Sequence, residues 1–106
     1  MNDALIHPSK ADFAFHLSRY KGALYRDWVP DLLKIQDCPV SDRRVLDAAK
    51  QAASRLKRFD YNPVDAEITP EEFNTMVSIM AFHTLKEVHG QALPDYVIEG
   101  AVLCPG

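Results

Sequence analysis

The stretch Thr69-Pro70-Glu71-Glu72-Phe73-Asn74-Thr75-Met76-Val77-Ser78-Ile79-Met80-Ala81-Phe82-His83-Thr84-Leu85-Lys86-Glu87-Val88-His89-Gly90 decides the fold. Thr69 is an N-cap residue, Pro70 suits the first helical position, and Glu72, three residues after the cap, completes a capping box. Both acids favour the positive end of the helix dipole. Gly90 supplies a left-handed stop. The pattern predicts a helix over 70–89. Phe73, Met76, Val77, Met80, Leu85 and Val88 mark one side of it, while Ile79, Ala81 and Phe82 cover much of the other. A helix apolar nearly all round lies either at the centre of a bundle or in a subunit interface. Val77, Ile79, Met80 and Phe82 are therefore candidate protein-interaction residues.

Working back along the chain, Ser41 and Asp42 start a helix over 42–59. Val45, Leu46, Ala49, Ala52, Ala53, Leu56 and Phe59 recur on its core face. The opposite face holds Arg43, Lys50 and Lys57 at heptad spacing, with Arg44, Arg55 and Arg58 alongside and only Asp42 and Asp47 to offset them. Clustered cations are what a phosphate needs, so these six are the candidate anionic-ligand residues. The segment 60–65 is a loop.

Earlier still, Ser9 and Asp12 resemble a capping box after Pro8. Phe13, Leu17, Tyr20, Leu24 and Trp28 follow at spacings of three and four, which predicts a helix over 9–28. Ala11, Ala14, Ser18 and Gly22 form a stripe of small side chains that would admit a close neighbour. Pro30 ends or kinks this helix, and Asp31 to Gln36 form a further short one. The tail over 94–104 reads as a short helix or a strand, with the helix favoured. The fold class is all-α: a small bundle of four to five helices, with long ones near 9–28, 42–59 and 70–89, in a single domain spanning 1–106.

Composition agrees. The chain has 106 residues, 47% of them hydrophobic and 25% charged, which excludes a disordered polymer, and two cysteines exclude a disulfide-dense scaffold. The start lacks the basic and apolar regions of a signal peptide, and no apolar run approaches the roughly 20 residues of a membrane span. A cytoplasmic location with free thiols is the expectation. The net charge of −3 conceals an asymmetry: residues 1–59 stand at +4 and residues 60–106 at −7.

The chemical motifs are sparse. His83 and Glu87 stand four apart on one helix, yet zinc wants three or four ligands, so a solvated pair is the plainer reading. His16 borders the aromatic stripe, where it either lines a pocket or sits inert at the edge of the core. Cys38-Pro39 and Cys104-Pro105 resemble the haem-regulatory dipeptide, but chain turns also account for a cysteine beside a proline. There is no nucleophile elbow, phosphate-cradling glycine loop or Rossmann fingerprint. No cofactor or metal is implied, and a non-enzymatic role is favoured.

The expected function is a small protein-interaction module acting through helix faces: an adaptor, an inhibitor or an assembly subunit, with a protein partner, a homo-oligomer or both. Small proteins of this kind are frequent among phage-encoded and operon-encoded inhibitors. The alternative is a nucleic-acid or phosphorylated small-ligand binder using the basic face of the 42–59 helix, which an acidic chain makes the lesser expectation.

Overall fold

The computed structural model describes residues 10–40 and 42–89, and the expectations for Ser9, Ser41, Gly90, the tail over 94–104 and Cys104 lie outside them. Four helices pack around one core, with no strand among the described residues: α1 (Lys10–Gly22), α2 (Tyr25–Lys34), α3 (Arg43–Arg58) and α4 (Pro70–His89). None of them is long and apolar enough to cross a membrane.

α4 begins as its capping box dictates. The Thr69 amide donates to Glu72 Oε1 at 3.0 Å, and the Glu72 amide donates to Thr69 Oγ1 at 3.1 Å. From Met76 to Phe82 every residue is buried, because α1 packs on one side of α4 and α3 on another. A central helix has no solvent face to fill with polar residues, and this accounts for the all-round apolar sequence. Phe13 of α1 stacks on Phe82 with ring centroids 4.8 Å apart. Tyr20 and Thr84 share a hydrogen bond of 2.7 Å. The Thr84 hydroxyl donates to Met80 O, so Tyr20 is the donor between the two.

α3 is capped by Asp42, whose carboxylate accepts the Arg44 amide at 3.0 Å. Leu46, Ala49, Ala52, Ala53 and Leu56 form its buried stripe, as the periodicity predicts. The expected helix over 9–28 is instead two helices. α1 stops at Gly22, Leu24 takes an extended conformation, and α2 starts at Tyr25. Pro30 neither ends a helix nor separates a further one over 31–36; it lies inside α2. An interior proline forgoes the bond to Arg26 O and costs about 3 kcal/mol. Burial of Trp28, Val29 and Leu32 on the same short helix offsets that cost. The break turns Trp28 into the core and leaves Leu24, expected on the apolar stripe, 70% exposed. Gly22 does not serve close packing either, since a Cβ there would meet nothing within 4 Å.

Candidate protein-interaction surface

The residues first expected to meet a partner do not face outward. Val77, Ile79, Met80 and Phe82 are all buried in the chain's own core, which corrects the expectation of an apolar face on α4. Of the two placements open to an all-round apolar helix, α4 takes the central one, with α1 and α3 packed against it from two sides.

Five of the six cations of α3 make local contacts. Arg43 donates to Gln36 O at 3.4 Å and approaches Asp47 at 3.7 Å. Arg44 grips Asp42 through two hydrogen bonds of 3.1 Å, which holds the Asp42 carboxyl below its ordinary range. Lys50 Nζ donates to Ile35 O, tying α3 to the end of α2. Arg55 Nε donates to Ala66 O at 2.7 Å while its Nη2 pairs with Glu72. Arg58 lies over the Phe59 ring at 5.9 Å. Lys50, Arg55 and Arg58 do line one shallow depression with Asp47, Gln51 and Ser54, but Arg43, Arg44 and Lys57 lie outside it. Three of the six thus share one depression and three do not. Four of the six, Arg43, Arg44, Lys50 and Arg55, hold hydrogen-bond or ion-pair partners within the chain.

His83 and Glu87 line a cleft between α2 and α4 together with Asp31, Lys34, Asp37 and Lys86. No group of three or more metal-ligating side chains forms among the described residues. His16 sets its ring edge-on to Phe15, 5.2 Å away. Cys38 is a half-buried free thiol whose sulfur reaches Asp42 O at 3.7 Å.

What the structure does place side by side is two turns that each carry exposed apolar side chains. One is the break between α1 and α2; the other is the loop from α3 to α4. A groove between them is lined by Ala23, Leu24, Tyr25, Arg26, Tyr61 and Pro63. Leu24 at 70%, Val64 at 81% and Phe59 at 43% are among the exposed large hydrophobic side chains.

The loop is built from rigid parts. α3 ends in a Schellman motif: the Tyr61 amide donates to Leu56 O at 2.6 Å and the Asp60 amide to Lys57 O at 3.2 Å. The residue in the left-handed position is Asp60 (φ 55°), where glycine is usual, and Tyr61 (φ 64°) follows it in the same region. Next comes a single helical turn. Asn62 Oδ1 accepts the amides of Val64 at 2.9 Å and Asp65 at 3.1 Å, with Pro63 at the first position. That turn closes as α3 did, with Ile68 N–H to Pro63 O, Glu67 N–H to Val64 O and Glu67 left-handed (φ 53°). Val64 is thus held out on a capped turn that Arg55 fixes to α3 through Ala66 O.

Arg26 joins the two turns. Its guanidinium lies over the Tyr61 ring at 5.2 Å and meets Asp60 Oδ1 at 3.4 Å. Tyr25 packs on Trp28 and on Phe73, and its partial burial pushes its hydroxyl pKa above the ordinary value. Periodicity concealed this surface, because Leu24 and Phe59 both fall on apolar stripes that fit a core. The signal that could have exposed it is Asn62-Pro63-Val64-Asp65, a cap and first-turn pattern too short for a full helix.

Compared with known protein families, curated proteins and solved structures, the chain matches none.

Proposed function

We propose that this chain is a small non-enzymatic protein-interaction module, an adaptor, inhibitor or assembly subunit, that works through the patch on its two turns. The observation that supports this reading is the exposure of Leu24 and Val64 beside a groove with two tyrosines and an arginine in its walls. Exposed apolar side chains gathered in one area mark interaction sites. Tyr and Arg are the residue types that carry binding energy at protein interfaces. The anionic-ligand reading has less support, since most of its cations are engaged within the chain.

The test is cross-linking in the cells that make the protein, comparing wild type with a Leu24→Asp, Val64→Asp double variant. Both positions are exposed, so helix content by circular dichroism should be unchanged. Proteins cross-linked to wild type should be lost from the variant. An identical cross-linked set from both would overturn the reading.

A further inference from the structure

We infer that residues 60–69 form a segment that opens without unfolding the bundle, and that the ionised carboxylate of Glu72 is the latch holding it shut.

The segment is bonded mostly to itself. Asn62 caps its turn, the Ala66 amide donates to Asn62 O at 3.0 Å, and the Ile68 amide donates to Pro63 O at 3.0 Å. One helical turn is too short to stand alone in water, so it keeps its shape only while docked. Its apolar seat is small: Ala66 is buried, and Tyr61 and Ile68 pack partly buried against the core. Arg26 meets Asp60 at 3.4 Å with both side chains exposed, a contact worth little. Segments with so few buried apolar groups open at lower cost than the core.

Arg55 and Glu72 close it. Glu72 Oε1 accepts from the Thr69 amide at 3.0 Å and from Arg55 Nη2. The Nε of the same guanidinium donates to Ala66 O at 2.7 Å. One carboxylate oxygen thus ties the start of α4 to the arginine that holds the turn. Bonds to an ionised acceptor are roughly twice as strong as neutral ones, so protonating Glu72 weakens both of its bonds together. Glu72 faces Arg55 from α3 and Thr69 from the loop; Glu67 also acts on Arg55, and Glu71 precedes Glu72 on α4. The Arg55 pair holds the Glu72 carboxyl below its ordinary range, and opening restores it. The segment is therefore released as pH falls through and below the carboxylate range. Tyr61 and Pro63, which wall the groove, ride on the segment with Val64. Its release dismantles that surface, a consequence that rests on the reading of the surface as an interaction site; the latch itself does not.

Amide hydrogen exchange on the purified full chain, read by NMR and corrected for the intrinsic rate at each pH, tests this. In wild type the amides of Ala66, Ile68 and Thr69 should open at least about 10-fold more often than those of Ala52 and Met80, which are buried in α3 and α4. Their opening should increase on acidification. Glu72→Gln keeps an acceptor for the Thr69 amide but removes the charge. It should raise opening of the three loop amides about 10-fold at neutral pH and abolish their acid dependence. Arg55→Lys should loosen them too, because one ammonium cannot reproduce the fork that serves both Ala66 and Glu72. Glu67→Gln should keep the acid dependence. Loop amides as protected as those of Ala52 and Met80 overturn the inference. So do loop amides unmoved by Glu72→Gln, or an acid dependence that survives in that variant. Exchange requires no partner, so its outcome is independent of the cross-linking test of the surface.

Discussion

Two apolar regions of this chain meet opposite fates. The middle of α4, from Met76 to Phe82, lies wholly inside. Leu24 and Val64, on the two turns, stand mostly in water. Hydrophobicity alone does not separate them. What separates them is backbone: α4 runs unbroken between two neighbours, whereas Leu24 occupies the break after α1 and Val64 a single capped turn. Helical period places a side chain only as far as the helix lasts.

The comparison is sharpest at its core end. Truncating Phe82 to Ala removes a fully buried ring stacked on Phe13 and should cost about 3–5 kcal/mol in urea denaturation. A cost near that of an exposed substitution would mean that α4 is less central than its burial implies.

The next effect lies where α4 begins. The Arg55 guanidinium, more than the Thr69 amide, draws the Glu72 carboxyl below its ordinary range against the opposing effect of its partial burial. A group depressed in the folded state adds stability that is full above its unfolded pKa and disappears as pH falls through the folded value. Stability should therefore decline as pH drops through and below the ordinary carboxylate range, and Glu72→Gln should make that decline shallower. Asp42, lowered by Arg44, leaves a residual slope. Thermal melts at a series of pH values measure both, and an unchanged slope in Glu72→Gln would deny the Arg55 pair this role.

The smallest effect concerns the strained turn. Asp60→Gly relieves a left-handed backbone at the end of α3 and should raise stability by about 0.5 kcal/mol despite losing the exposed contact with Arg26. A loss of stability in the same denaturation assay would show that the Asp60 side chain matters more to the loop than its backbone does.

Much of the architecture was legible because local chemistry and global packing agree. Thr69, Pro70 and Glu72 announce α4, Asp42 caps α3, and the buried stripe of α3 follows its period. The helix over 9–28 was misread because two local signals carry different weights in context. Gly22 reads as a packing residue and Pro30 as a stop or a kink. The chain breaks just past the glycine instead and carries the proline through, since burial of Trp28 and Leu32 outweighs one missing bond. The exposure of Leu24 and Phe59 was illegible for a related reason. Leu24 and Phe59 continue periodic stripes on paper, and only the ends of α1 and α3 turn them outward.

Arg55 gives the loop a mechanical character. One guanidinium spans the last turns of α3, the carbonyl of Ala66 and the first turn of α4. It works as a cross-brace, so the segment that presents Val64 is stiff along the line joining the two helices. A load applied at the tip of that loop passes through Arg55 into the frame of the bundle instead of bending the turn.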